Sequence, residues 1–180
     1  MKLFKLLTIV LVTFIFNSCD TKDLADITIN TNFTEKIQLG APIGVEEPLN
    51  KSEDLELSND EINEYVDKIK EIKINKITYK FIEFTGISGN DPDSNCSFSD
   101  VKIKADGNLF ETNAYVIKET IDNGVVFTIT DEEDLNTMAA SFLADNKVTF
   151  NMTGNSTSTA ITAFKMEITF DLTIIASPLN

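Results

Sequence analysis

From Phe164 to Ala176 the chain alternates. Phe164, Met166, Ile168, Phe170, Leu172, Ile174 and Ala176 fall on one side of an extended backbone, and Lys165, Glu167, Thr169, Asp171 and Thr173 fall on the other. Successive side chains of a strand point to opposite faces, so this pattern makes one apolar face and one wetted face. It is the signature of an antiparallel sheet solvated on one side. A helix would scatter the same residues around its axis.

The same period recurs upstream. Ile27, Ile29, Thr31 and Phe33, then Ile37 and Leu39, predict an opening strand, and Val148, Phe150 and Met152 predict another. Between Ile72 and Phe84 the apolar positions change phase, from Ile72 and Ile74 to Ile77, Tyr79 and Phe81, then to Ile82 and Phe84. A bulged strand, or one with both faces partly buried, accounts for this. Phe98, Val101 and Ile103 lead to Asp106-Gly107, and Leu109 to Lys118 leads to Asn123-Gly124 before Val125, Phe127 and Ile129. Both dipeptides favour the positive φ of two-residue hairpins, which predicts a three-stranded meander.

Two segments read as helices. Ser58 and Glu61 form a capping box ahead of Ile62, Tyr65, Val66 and Ile69 at helical spacing. Thr130 or Asp131 can cap a second helix, in which Leu135, Met138, Ala139 and Phe142 repeat the spacing and three acids occupy the first turn. The segment from Gly40 to Ser58 is long for a connection, and Leu55 with Leu57 suggests a short edge strand within it. The expected fold is all-β: an immunoglobulin-like antiparallel β-sandwich of about seven strands with two short connecting helices. The cysteine and tryptophan signature of antibody domains is missing, so the expectation concerns architecture alone. An open barrel, or one sheet with helices on one face, is the alternative.

The first 19 residues have the layout of an export signal: Lys2 and Lys5, the apolar run Leu6 to Phe16, then Asn17-Ser18-Cys19. The run is about half the ~20 residues that span a bilayer. Residues 1–18 are therefore read as a signal peptide, 19–26 as a tether and 27–180 as a single domain. Ser18 before Cys19, with Phe16 upstream, resembles the lipobox of bacterial lipoproteins. That resemblance implies a lipid thioether on Cys19, an acylated amino group and stable membrane anchoring through several chains, palmitate among them.

The 180 residues contain 15 lysines, no arginine, no histidine and no tryptophan, against 29 acids, for a formal charge of −14. Loss of the signal takes away two lysines and no acid, leaving −16. Without histidine there is no Ser-His-Asp or Cys-His set and no His-ligated zinc. The charge opposes nucleic-acid binding, where Lys and Arg neutralise phosphates. Cys96 has no second cysteine once Cys19 is lipidated, and reads as a small buried hydrophobe.

The most pointed polar group is Gly89-Asn90-Asp91-Pro92-Asp93-Ser94-Asn95, where Asp91, Asp93 and Asn95 imitate the first three ligand positions of a calcium loop. Cys96 and Lys102 stand where that loop wants glycine and glutamate, so a solvated turn is the plainer reading and Ca2+ the alternative. Asp131-Glu132-Glu133-Asp134 is explained by the helix start, although paired carboxylates are also what glycan hydrolysis needs. The ten phenylalanines after the signal fall mostly on inner faces. The Ser/Thr/Asn stretch Thr153 to Thr162 lacks a phosphate-loop pattern and reads as a polar hairpin loop.

Abundant Asn, Ile and Lys without arginine, together with this relaxed lipobox, resembles the small lipoproteins of the Bacteroidota. Within Cys19-Asp20-Thr21-Lys22-Asp23, the residues Asp20, Lys22 and Asp23 resemble the surface-export signal of that group. The resemblance implies an outer-membrane protein facing the cell surface, with the periplasmic face as the alternative, and such lipoproteins often carry sandwich domains without assigned activity. The expected function is non-enzymatic: a lipid-anchored binding or structural module contacting an envelope protein or glycan. Alternatives are a carrier holding a lipid or sugar between its sheets, and a carboxylate-based glycan-active enzyme.

Overall fold

The computed structural model describes residues 25–58, 60–86 and 91–178, excepting the side chains of residues 61, 108 and 110–113. Its elements in chain order are β1 (Ile27–Ala41), β2 (Gly44–Glu56), α1 (Asp60–Tyr65) with a 3-10 turn at Val66–Lys68, β3 (Ile69–Gly86), β4 (Ser97–Ala105), β5 (Asn108–Val116), α2 (Ile117–Asp122), β6 (Phe127–Ile129), α3 (Glu132–Asp145), β7 (Lys147–Ser158) and β8 (Thr162–Ala176). They form two antiparallel sheets of four strands, ordered β1-β8-β3-β6 and β2-β7-β4-β5. The expected all-β antiparallel sandwich is the architecture found. Its strand order is that of a jelly roll: only β4 and β5 are consecutive strands paired within one sheet, and every other connection crosses between sheets. The immunoglobulin order would instead pair more neighbours in sequence.

β8 lies at the centre of the first sheet and behaves as its pattern requires. Its even-numbered residues from Thr162 to Ala176 are all buried. Its other face carries Glu167 between Lys36 of β1 and Lys80 of β3, and Asp171 beside Lys76. Those ion pairs are exposed enough to contribute at most about 1 kcal/mol each, so burial of the apolar face dominates. The β1–β8 ladder runs from Ile27↔Ala176 to Ala41↔Thr162 without a register shift.

The phase changes of β3 are bulges. Its register against β8 shifts between Ile74 and Lys76 and again between Ile82 and Thr85, where Glu83 takes a φ of 56°. Each extra residue turns the following side chains to the other face, which is why Ile77, Tyr79 and Phe81 resume the core pattern after Ile72 and Ile74.

Three expectations change. β2 is a full edge strand, thirteen residues long, where a long connection with a short edge strand at Leu55 and Leu57 was expected, and it accounts for the eighth strand. Its Pro48 is tolerated because an edge strand need not donate on its free side. The meander stops at two strands: the β4–β5 hairpin turns at Asp106-Gly107 as predicted, but Asn123-Gly124 ends helix α2. Gly124 has φ 60°, its N–H bonds the Ile121 carbonyl, and the Val125 N–H bonds the Thr120 carbonyl, the paired bonds of a Schellman cap. β6 then joins the other sheet beside β3. Finally, α1 is short, because Ile69 is taken into the β3 ladder opposite Ala176. The Ser58 hydroxyl meets the Asn63 side chain, and the Glu61 half of the expected box lies outside the described side chains.

Helix α3 closes the interior. Asp131 caps it by accepting the N–H groups of Glu133 and Asp134, each at 3.1 Å, and Leu135, Met138, Ala139 and Phe142 form its buried face. Phe142 meets Phe33 of β1 and Phe170 of β8 edge-on, at ring separations of 6.3 and 5.5 Å.

In the sheet of β2, β7, β4 and β5, the backbone of β4 approaches Gly154 closely. A Cβ on Gly154 would stand 3.0 Å from the Ser99 carbonyl oxygen and 3.1 Å from Val101 Cα, both backbone atoms that cannot swing away. Gly154→Ala is expected to cost about 1–3 kcal/mol by overpacking, read as a lower urea midpoint. An unchanged midpoint would mean that β4 yields freely at its bulge.

Candidate functional site

The β1–β8 and β3–β8 registers define two ends of the sandwich. Ile27, Ile69 and Ala176 share one end, and Ala41, Gly86 and Thr162 share the other. The fifteen residues of β1 separate the two ends by about 50 Å at ~3.3 Å per residue. The first end receives the chain from its N-terminal segment, so the second is the distal end. It gathers the β1–β2 turn, residues 91–96 and the β7–β8 turn.

Asp93 ties the distal turns together. One carboxylate oxygen accepts the N–H of Asn95 at 2.9 Å, and the other accepts the N–H of Thr159 at 2.7 Å and lies 3.4 Å from the Ser158 Oγ. Its own N–H donates to the Thr162 hydroxyl at 3.2 Å. The Thr159 N–H, then that of Asn95, hold the Asp93 carboxyl below the usual carboxylate range. Residues 91–96 and 158–162 therefore meet in space, through this side chain.

The calcium-loop imitation takes a different form here. Gly89 and Asn90 lie outside the described residues. Asp91 and Asn95 are exposed, and both oxygens of Asp93 face protein donors. Among the described residues, no group of three or more His, Cys, Asp or Glu side chains is gathered closely enough to hold a metal ion. Cys19, Asp20, Lys22 and Asp23 also lie outside the described residues.

The polar stretch Thr153 to Ser158 belongs to β7, and only residues 159–161 form the turn. Ser156 and Ser158 continue the inward phase of Val148, Phe150 and Met152, so hydroxyls line the core at this end. They are satisfied locally: Ser156 donates to the Glu47 carbonyl at 3.2 Å and Ser158 to the Ala160 carbonyl at 2.7 Å. Cys96 is buried beside them. Burial pushes its thiol up, and the charge of Asp93 adds to this against the lowering effect of Ser158, which disfavours the nucleophilic thiolate.

The acids from Asp131 to Asp134 lie elsewhere, beyond β6, whose register places it against Ile77–Tyr79 of β3. Partial burial raises the Asp134 carboxyl, with Asp131 and Glu133 adding to the effect, while Asp131 is engaged as the helix cap. Between the sheets, the enclosed apolar space bounded by Ile77, Met138, Phe150, Met166, Ile168 and Phe170 measures about 20 Å³. The Tyr79 and Tyr115 hydroxyls meet across the interior at 2.9 Å.

Sequence reasoning missed the surface of the distal turns. Ile43 is 61% exposed, Val45 77% and Ile161 47%. Pro42, Ile43 and Ile161 line a shallow groove of about 300 Å³ with Gly40, Ala41 and Thr162. The available signal was aliphatic residues in turns, where polar ones are the norm.

No family model and no curated protein matches the chain. Among solved structures, the decameric BFDV capsid protein is similar at 7% identity over 82% of this chain and 99% of its own, with a TM-score of 0.42. Desmodium yellow mottle tymovirus is similar at 10% identity over 84% of this chain and 85% of its own, with a TM-score of 0.38. Neither likeness bears on what this chain does. No helix among the described residues is long and apolar enough to cross a membrane.

Proposed function

We propose that the chain is a lipid-anchored envelope protein, held through Cys19 in the outer membrane and facing the cell surface, that acts as a non-enzymatic binding module toward an envelope protein or glycan. The observation that carries the reading is directional. Cys19 precedes Ile27, the first residue of β1, by eight residues, and from Ile27 the strand runs the whole length of the sandwich to the distal end. A lipid at Cys19 would leave the β1–β2 and β7–β8 turns on the far side from the bilayer, where recognition loops are useful. The mature charge of −16 favours the same arrangement by repelling the domain from anionic headgroups.

The interior supports a module over a carrier. A lipid or sugar site needs roughly 300–1,000 Å³, whereas the enclosed space is about 20 Å³. A carboxylate enzyme needs two acids about 5–9.5 Å apart across a substrate. Asp93 clasps the distal turns and Asp131 caps helix α3, so these two carboxylates are engaged in structure on separate segments of the sandwich.

Metabolic labelling with an alkyne palmitate analogue tests the anchor, and protease added to intact cells tests the placement. The full chain is expected to take up label, Cys19→Ser to lose it, and the domain to be digested in intact cells while a periplasmic control survives. Equal labelling of Cys19→Ser would remove the lipid anchor from the reading. Digestion only after lysis would move the domain to the periplasmic face.

A further inference from the structure

The distal end combines exposed aliphatic side chains with charge of one sign. Ile43, Val45 and Ile161 are exposed in or beside the β1–β2 and β7–β8 turns, and the acids Glu46, Glu47 and Asp91 belong to the segments that meet at this end. Across residues 41–47, 91–96 and 158–162 there is no lysine. The turns are held together from within: Gly44 pairs with Ser158, the Glu46 N–H reaches the Thr157 hydroxyl, and Asp93 bonds Thr159. Elsewhere the outer face of the β1-β8-β3-β6 sheet balances acids with Lys36, Lys76, Lys80 and Lys165. The distal end leaves its acids without such partners in the same turns.

Deepening the binding-module reading and resting on it, we propose that this end docks a peptide segment of a partner protein that presents an aliphatic side chain flanked by lysine or arginine. The aliphatic group enters the groove between Ile43 and Ile161, and the flanking cations meet Glu46, Glu47 and Asp91. Apolar burial supplies the affinity and the acids supply approach and selection. The same charges argue against the other occupants. A second copy docked tip to tip would bring two acidic rings together, and an anionic membrane would be repelled. The described residues of these three turns include no aromatic ring on which a sugar would stack.

The test uses the full chain in phosphatidylcholine nanodiscs and a fluorescent hexapeptide with two leucines between lysine pairs, followed by anisotropy against empty discs. Saturable binding is expected, weakened at least tenfold by the double substitution Ile43→Ser and Val45→Ser. Those side chains are exposed, so melting should not change. Replacing the leucines by serine, or the lysines by glutamate, should weaken binding to a similar extent. Equal affinity in the double variant, or equal affinity for the serine peptide, would reduce the effect to general charge attraction and overturn the site. So would loss of peptide binding through concentration-dependent self-association, or stronger attachment to phosphatidylserine vesicles than to the peptide. Palmitate labelling is read separately: peptide binding that persists in Cys19→Ser keeps the site even if the anchor fails, and labelling without peptide binding removes the site alone.

Discussion

Phe142→Ala is expected to lower the unfolding free energy by about 3–5 kcal/mol, the range for removing a buried aromatic ring. Phe142 is 1% exposed and sits where helix α3 meets the first sheet, its ring edge-on to both Phe33 and Phe170. Its loss removes apolar burial and two aromatic contacts together. The surroundings resist collapse, because Phe33 and Phe170 belong to the unbroken β1–β8 ladder, where Phe33 pairs directly with Phe170. Repacking them would disturb the central strand. The helix could move inward only by giving up the Asp131 cap or the left-handed Asn146 at its C-terminus, whose N–H bonds the Phe142 carbonyl at 2.9 Å. Urea unfolding would show a lower midpoint at unchanged slope. A loss below 1 kcal/mol would mean that α3 is a loosely held lid.

How much of this was legible depends on what carried the signal. β8 could be read residue by residue, because a strand at the centre of a sheet with one wet face writes its burial directly into alternation. Helix α3 was equally clear, since Leu135, Met138, Ala139 and Phe142 keep helical spacing behind a strong cap. Strand β2 was obscured by Glu46, Glu47, Pro48, Glu53 and Asp54, which protect an edge against pairing and resemble a loop for that reason. Asn123-Gly124 misled because a hairpin turn and a helix C-cap ask for the same positive φ. Ile117 and Thr120, three residues apart and both buried, were the signal for the helix.

The strand order was not legible, because alternation fixes which face of a strand is buried and says nothing about which strand lies beside it. Candidate-site residues fared the same way. Asp93 stood out as a candidate calcium ligand in a solvated turn, but besides Asn95 the groups it meets lie 65 and 66 residues away at Ser158 and Thr159. Spacing within residues 89–95 therefore pointed to a cation where the fold supplies backbone N–H groups. Ser156 and Ser158 were read as loop because hydroxyls replaced hydrocarbons in an unchanged period.

Asp93→Asn is expected to destabilise the domain by about 2 kcal/mol near neutral pH, the order of one hydrogen bond to a charged group. The amide keeps the shape and one acceptor, but turns N–H donors toward the Thr159 or Asn95 N–H. The sign of the pH dependence follows from the carboxyl. Its folded pKa lies below its ordinary value of 3.8, mainly through the Thr159 N–H. The stability it contributes is therefore complete above pH 3.8 and is lost as pH falls through the folded value. The difference between the natural chain and Asp93→Asn should hold steady from pH 7 to pH 5 and shrink as pH falls below 3.8 toward the folded value, beneath which both side chains are neutral. Asp54 and Glu167 are lowered as well, by Lys147 with Thr149 and by Lys80 with Lys36, but they are present in both proteins and cancel in the comparison. Urea titrations at stepped pH would measure it, and a gap that does not narrow anywhere below pH 3.8 would assign the loss to packing. Adding Ca2+ in the same experiment separates the clasp from a cation loop. A clasp saturated by N–H donors predicts no calcium-dependent gain, whereas a gain present in the natural chain and absent in Asp93→Asn would make residues 91–95 a cation site after all.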